Sequence, residues 1–507
     1  MTLTVAAPLR LEARALRRGC RASNVVTTGM GRQRAVTGGK RLAAAHEGRI
    51  RGAVVAAGIA GGLAPGLEPG TVVVADEVRV ADGSLEPIRL PSAPVLANAL
   101  RRAGFSVVVG PLVSASRLAR GAERIRLAET GAVAVDMETA WLLDPLRSPG
   151  LDPRALAAVR VVVDTLDHEL VSAATVRSLR RATQVLRSMG DVLEQWASAV
   201  GARDVVLPVP RSFCAGVDRA IEIVERALDR FGAPVYVRRQ IVHNTHVVRG
   251  LEAAGAVFVE ELDQVPAGAT VVLAAHGVAP SVRAEAERRE LRVIDATCPL
   301  VAKVHHEARQ HRAQGTRVVL IGHADHEEIV GTLGEVPEAV VISGPDEVAA
   351  LDAPHGEPMA YLTQTTLAVD ETAAVVAALR ERFDDLREPA SDDICYATQH
   401  RQEAVVAIAG GCDLILVVGS ANSSNSNRLV EVARRTGRPA HLIEDETELD
   451  LAWLKGVATV GITAGASAPE LLVDRVVAAL GRLGPVIVDE QHVVEESVQF
   501  RLPREVR

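Results

Sequence analysis

Aromatic residues are scarce in this chain, making up 2% of 507 residues: three Trp, three Tyr and six Phe. That excludes base-stacking platforms for single-stranded nucleic acid, which need aromatic faces in series. A basic balance is also lacking. Lys and Arg number 56 against 64 Asp and Glu, a formal net charge of −8, so no global positive field draws nucleic acid or an anionic membrane. Long apolar runs are missing too. The uncharged stretches Gly52–Leu67 and Gln264–Val282 are both interrupted by Gly and Pro, so no membrane span is expected. Met1–Arg14 carries no signal-type apolar segment, and a cytoplasmic location is expected. The five cysteines are Cys20, Cys214, Cys298, Cys395 and Cys412, with no C-x-x-C pair among them. That spacing excludes zinc ribbons, ordinary ferredoxin motifs and a disulfide scaffold.

What is present is a globular composition. Apolar residues are 48% and charged residues 24%, and runs of Val suit buried parallel strands. At roughly 100–200 residues per domain, the length implies about three domains. Strands alternate with helices. Gly52–Ala57, Thr71–Ala75, Ser106–Val109 and Ala157–Val163 read as strands. Val171–Val200 has helical spacing through Val176, Leu179, Ala182, Leu186, Met189, Leu193 and Trp196. Gly201-Ala202-Arg203-Asp204 then interrupts the pattern ahead of a strand at Val205–Val209. A boundary near residue 200 gives domains at 1–200 and 204–503.

The second region repeats itself. Cys298 is followed by a helical stretch, the strand Arg317–Ile321 and Gly322; Cys395 is followed by a helical stretch, the strand Leu414–Val418 and Gly419. The spacing from Cys to Gly is 24 residues in both (322 − 298 and 419 − 395). Polar loops come next, His323-Ala-Asp-His326-Glu-Glu328 and Ser420-Ala-Asn-Ser423-Ser424-Asn425. From Cys214 the order is the same, through the strand Pro234–Val237 to His243-Asn244. A second polar loop closes each unit: His276-Gly277 after Thr270–Ala274, Thr363-Gln364-Thr365 after Met359–Leu362, and Thr463-Ala-Gly-Ala-Ser467 after Ala458–Ile462. Each loop precedes a helix with a capping-type residue near its start: Ser281, Asp370 and Ser467. Three pseudo-repeats result, about 204–295, 296–392 and 393–485. Loops leaving strand ends are where open α/β sheets place ligands. Three such units around an axis would gather three thiols and six polar loops at one centre.

Cys20 and Cys412 read as small buried apolar residues. Cys214, Cys298 and Cys395 each open a repeat. Three thiolates suit a soft metal centre such as iron–sulfur, and a four-iron cluster held by three cysteines keeps one iron open to a substrate. His305, His306 and His323 are accounted for by a helix face or loop edge.

These motifs carry a resemblance. Phe213-Cys-Ala-Gly-Val-Asp-Arg-Ala220, Val242-His-Asn244, Ala275-His-Gly-Val278, Asp295-Ala-Thr-Cys-Pro-Leu-Val301, Thr363-Gln-Thr-Thr-Leu367, Asp393-Ile-Cys-Tyr-Ala-Thr398, the run Gly419–Arg428 and Thr463-Ala-Gly-Ala-Ser-Ala-Pro469 resemble the 4-hydroxy-3-methylbut-2-enyl diphosphate reductase family over residues 204–503. The resemblance implies a trefoil of three α/β units around a central [4Fe-4S] cluster ligated by Cys214, Cys298 and Cys395. It implies that His243, His276 and His326 point at the diphosphate or the alcohol of an allylic diphosphate. Thr365, Ser423, Ser424, Asn425 and Ser467 would complete the substrate site, and Glu328 would relay protons. The implied reaction belongs to the non-mevalonate isoprenoid pathway. Two electrons and protons expel the hydroxyl as water and leave isopentenyl and dimethylallyl diphosphates, with ferredoxin or flavodoxin as electron donor. The residue types suit that chemistry. His, Ser, Thr and Asn donate to diphosphate oxygens without a basic groove, and a hydroxyl leaves only with a proton from a positioned acid. Asp325 and Glu327 depart from the family pattern by adding acidity around His326, and are expected to raise the His326 pKa or tune Glu328.

In the first region, Thr28-Gly-Met-Gly31, Ala57-Gly-Ile-Ala-Gly-Gly-Leu63, Pro69-Gly-Thr-Val-Val-Val-Ala-Asp76, Val135-Asp-Met-Glu-Thr139 and Val161-Val-Val-Asp164 resemble the purine nucleoside phosphorylase and nucleosidase superfamily. The pattern is most similar to its hopanoid-associated branch, which cleaves adenine from adenosylhopane. The resemblance implies an α/β domain in which Met137 and Glu138 hold a ribose and Asp164 protonates the leaving base. Glu12 lies where nucleosidases keep a water-activating acid. Val163 stands where the family usually has Ser. Two other readings of the whole chain are a cluster-dependent dehydratase and an iron–sulfur sensor with a nucleoside-binding domain; no basic DNA-reading helix supports the sensor.

Overall fold

The computed structural model describes residues 2–46, 52–147, 151–166, 174–352 and 358–507. The chain is mixed α/β and divides into two compact units. The first comprises Met1–Asp204 with the later segments Glu446–Ala458 and Arg475–Ile487; the second comprises Val205–Asp445, Thr459–Asp474 and Val488–Arg507.

The first unit is built on an eight-stranded sheet. Leu156–Asp164, rich in Ala and Val, is buried at every position. It pairs in parallel with Gly52–Gly62 and antiparallel with Val72–Val80. Those two strands are also joined through Ala134–Asp136 and Val107–Ser114, so five strands close into a ring. Burial on both faces is why these strands read as continuous apolar runs rather than alternating ones. The late segment at 446–458 is tied in where Arg102 donates to the Leu449 carbonyl at 2.5 Å. The helical spacing at 171–200 resolves into two helices, Ala174–Ser188 and Gly190–Ala199; residues 171–173 lie outside the described ones. The break falls where the backbone crosses Gly19, since a Cβ on Gly190 would meet the Gly19 carbonyl carbon at 2.2 Å. Leu186, Met189, Leu193 and Trp196 are buried, whereas Val176 is exposed.

The second unit contains three sheets built to one plan. Val235–Arg238 lies between Ala256–Val259 and Thr270–Leu273, with Arg292–Asp295 outermost, all parallel. Arg317–Ile321 lies between Val340–Ile342 and Met359–Thr363, with Leu386–Arg387 outermost. Leu414–Val418 lies between Ala440–Ile443 and Thr459–Ala464, followed by Arg203–Val209 and Val486–His492. The fourth strand of each sheet is the one that leads into a cysteine. Arg292–Asp295 precedes Cys298, Leu386–Arg387 precedes Cys395, and Arg203–Val209 precedes Cys214. The strand that opens this unit therefore sits in the last sheet, and the cycle of three closes through it.

Cys214, Cys298 and Cys395 are the N-cap residues of the helices Ala215–Phe231, Pro299–Ala313 and Tyr396–Ala409. The second helix of each unit is capped by Asn244, His326 and Ser423. Helix N-termini offer free N–H groups and the positive end of the helix dipole. Ser281 and Asp370 lie near the helix starts as expected, but the N-cap residues are Ala279 and Ala368. The helices begin at Pro280, Val369 and Glu470, so Ser281 and Asp370 lie inside a first turn, and the Ser467 hydroxyl donates instead to the His243 carbonyl at 3.0 Å. No helix among the described residues is long and apolar enough to cross a membrane.

Candidate functional site

The second unit encloses a cavity lined from all three sheets. Cys214, Cys298 and Cys395 reach it, as do His243, His276, His326, Glu328, Thr365, Ser423, Ser424, Asn425 and Ser467, so every residue singled out in this region meets there. Cys20 and Cys412 do not line it and are buried. All five thiols are free. Burial pushes Cys298 up to about 11 and Cys395 up to about 12, and also raises Cys214. Three neighbouring half-buried thiols thus stay protonated until something cationic draws them into thiolates, which is how a soft metal centre binds. Gly216 keeps the space between them clear: a Cβ there would meet Cys298 Sγ at 2.9 Å and Cys214 Sγ at 3.8 Å. The donor set and its cradle fit an iron–sulfur cluster.

Beside the thiols the imidazoles pack together. His243 stacks on His276 at 4.2 Å between centroids, and His326 stands edge-on to both, at 5.9 and 6.0 Å. Burial lowers His243 to about 3 and His326 to about 4. The expectation that nearby acids would raise His326 is therefore wrong, because desolvation and the neighbouring His276 outweigh Glu327. His326 Nδ1 accepts from the Glu328 backbone N–H at 3.2 Å, so the ring's proton sits on Nε2. Glu327 turns away toward His276, with 3.5 Å between its carboxylate and Nδ1.

Glu328 is fully enclosed. Its carboxyl accepts from Thr365 N–H at 2.7 Å and from the Thr365 hydroxyl at 2.9 Å. Burial nevertheless lifts it to about 7, the value that suits a group giving and retaking a proton near neutrality. Asn425 accepts from Ala466 N–H at 2.9 Å and donates to Thr398 Oγ1 at 3.3 Å. Thr398 in turn lies 3.0 Å from Cys395 Sγ. Thr398, Thr366 and Phe500 also line the cavity, and the sequence reading missed them. Thr398 follows Cys395 within one helical turn and was legible; Phe500 arrives from the far end of the chain without a local signal. Arg401 is buried and donates to the Ser212 carbonyl at 2.8 Å and the Phe213 carbonyl at 3.0 Å, which fixes the loop before Cys214.

The first unit has its own cavity, lined by Glu12, Met137, Glu138 and Asp164. Glu138 accepts from Gly31 N–H at 3.1 Å and Met137 N–H at 3.2 Å, and burial, then Asp136, raises it to about 7. Glu12 accepts from Leu9 and Ile59 N–H at 2.7 and 2.8 Å, and burial raises it as well. Two buried arginines were missed. Arg160 pairs with Asp136 at 2.7 Å, and Arg124 pairs with Asp164. Glycines in the strand Gly52–Gly62 make room for both: a Cβ on Gly58 would meet Arg160 Nη1 at 2.3 Å, and one on Gly61 would meet Arg124 Nη2 at 3.0 Å.

Comparison with known proteins divides the chain in the same manner. Residues 205–481 match the family model described as LytB protein, and residues 22–189 match that of the Phosphorylase superfamily. The chain is 55% identical over 324 residues to 4-hydroxy-3-methylbut-2-enyl diphosphate reductase 2 of Mycobacterium bovis, covering 63% of this chain and 98% of that protein. It is 56% identical over 304 residues to the 4-hydroxy-3-methylbut-2-enyl diphosphate reductase of Zymomonas mobilis, covering 60% and 89%. Among solved structures, the E-1-hydroxy-2-methyl-but-2-enyl-4-diphosphate reductase from Plasmodium falciparum matches with a TM-score of 0.58 and 37% identity, over 60% of this chain and 97% of that one.

Proposed function

The chain belongs to the LytB protein family, and from that premise we propose that residues 204–503 reduce 4-hydroxy-3-methylbut-2-enyl diphosphate to isopentenyl and dimethylallyl diphosphates. The observation that carries the reading is the meeting of three free, half-buried, helix-capping thiols with three imidazoles and Glu328 in one cavity. When bound by Cys214, Cys298 and Cys395, a [4Fe-4S] cluster supplies electrons and a Lewis-acidic iron. The protein's own residues do the rest. The diphosphate takes donors from His243, His276, His326, Ser423, Ser424, Asn425 and Ser467, with the N-termini of the helices Glu327–Glu335 and Ser424–Arg435 behind them. Glu328 holds the proton that lets the hydroxyl leave as water, and Thr365, bonded to both its oxygens, orients that proton. Two electrons and a second proton then complete the isopentenyl and dimethylallyl products. A ferredoxin or flavodoxin would deliver the electrons, in the cytoplasm. The test is anaerobic purification, an iron and sulfide count, and turnover of the allylic diphosphate with a low-potential reductant. Product formed without reductant would mean a dehydratase, and a bound cluster without turnover would mean a sensor.

For residues 1–200 the reading is cleavage of a nucleoside N-glycosidic bond. Glu138, lifted to about 7 at the cavity wall, suits the ribose hydroxyls, and Asp164 the base. Release of free base from nucleosides, with and without phosphate, tests it. Unchanged release in Asp164→Asn would remove Asp164 from the mechanism.

A further inference from the structure

Glu327 poses a problem that the diphosphate reading does not answer: a permanent carboxylate stands at a site meant for a polyanion. Burial opposes its charge, but the bond to His276 and the charges of His276, His243 and Arg239 hold it down to about 2. Its oxygens lie 3.5 Å from His276 Nδ1 and 3.6 Å from Arg239 Nη1. The groups around His276 are therefore His243, His326, Glu327 and Glu328, with Arg239 behind Glu327. His243 and His326 are neutral near pH 7, so each can offer at most one N–H. A neutral His276 with its proton on Nδ1 has a bare Nε2 lone pair, which cannot donate to a phosphate oxygen and would repel it.

Resting on the reductase reading, we propose that Glu327 is a positioning residue for the diphosphate: its carboxylate accepts a hydrogen bond from His276 Nδ1–H, and the ring, keeping both protons, presents a charged Nε2–H donor to a phosphate oxygen. The carboxylate fixes ring orientation and tautomer, as carboxylate–imidazole pairs do where a histidine must donate through its other nitrogen. Arg239 balances Glu327 on its far side, so the site gains one directed cationic donor rather than a diffuse basic field. A charge-assisted bond of this kind is worth about tenfold in affinity.

The test compares wild type, Glu327→Gln and Glu327→Asp as anaerobic full-length holoproteins, titrated with inorganic diphosphate, with ¹⁵N-histidine spectra of the bound state. Wild type is expected to show both nitrogens of His276 protonated. Glu327→Gln is expected to show only one and to bind about tenfold more weakly, and Glu327→Asp to recover both signatures in part. Equal or tighter binding by Glu327→Gln, or a singly protonated His276 in bound wild type, overturns the proposal. His243, His276 and Glu327 could also gather round a cation, their ligand atoms lying within 4.8 Å of one another. Diphosphate binding that requires Mn²⁺ in wild type but not in Glu327→Gln would overturn the dyad in favour of a metal bridge. Wild type that binds no diphosphate at all would instead remove the reductase reading beneath it.

Discussion

In the first unit, Asp136 and Asp164 each face a buried arginine, Arg160 and Arg124. In the second, no lysine or arginine lines the cavity among the described residues, and Glu328 meets only the uncharged donors of Thr365. The first cavity holds Asp136 and Asp164 in matched pairs, beside Glu12 and Glu138, which burial raises. The second drives its groups toward neutrality, with thiols raised, His243 and His326 lowered and Glu328 lifted to about 7. Glu327 is the exception, and it is paired outside the thiol cluster. Charge pairs suit a pocket that keeps its electrostatics whether or not a neutral nucleoside is bound. A neutral cavity suits a site whose charge arrives with what it binds, a cationic metal core on the thiols and an anion on the imidazoles.

The largest effect expected is from the thiols. Replacing Cys214, Cys298 or Cys395 by Ser should abolish cluster absorbance and turnover, while Cys20→Ser and Cys412→Ser keep both. Full iron and sulfide content in the three Ser variants would break the contrast at its root. Next is Glu328→Gln, which keeps size, can accept from the Thr365 N–H through its oxygen and donate to the Thr365 hydroxyl through its amide, but relays no proton. Single-turnover reduction should fall by about 10²–10⁴, with substrate titration of the oxidised cluster near wild type; collapse of binding in step with turnover would make Glu328 a binding residue instead.

The first unit should fail differently. Arg124→Met removes the guanidinium from the buried pair with Asp164, and losing one partner of a buried pair costs about 3–5 kcal/mol, read as a lower denaturant midpoint. An unchanged midpoint would show that the pair is not needed to balance that pocket. The pH response sharpens the same difference. Glu328 has a folded pKa near 7, above the value near 4.3 of an unfolded chain. The folded state therefore holds the extra proton between these values. The stability from this group is full below about pH 4.3 and is lost as pH rises through about 7. Glu328→Gln should flatten that decline in urea titrations of the apoprotein; an unaltered slope would mean that the carboxyl is ionised in the fold. The smallest effect is expected from Gly216→Ala, whose Cβ would crowd the Cys298 and Cys214 sulfurs. Cluster content should drop partly, with the fold intact by circular dichroism.

Much of this was legible in the chain itself. The strands Arg317–Ile321 and Leu414–Val418 lie where apolar runs placed them, because a run of β-branched residues buried on both faces has few other uses. Counting residues from each cysteine brought out the three units, since a repeat repeats its spacing. The same spacing gathered three thiols and six polar loops at one centre, and the family resemblance singled out the imidazoles and Glu328 on those loops.

What the linear pattern could not decide is anything that depends on a neighbour distant in sequence. The helical run breaks ahead of Gly190, where Gly19 passes beside it. Arg203–Val209 completes the last sheet although it opens the unit, because pairing is settled by which edge is free. Arg124 and Arg160 look like surface charges in sequence and are buried by the carboxylates they meet. Glu327 stands next to His326 along the chain, yet its carboxylate serves His276. The physical reason is common to all of these. Apolar periodicity and residue spacing are local properties that a chain carries in any conformation, whereas desolvation and charge pairing exist only once distant side chains share one low-dielectric space.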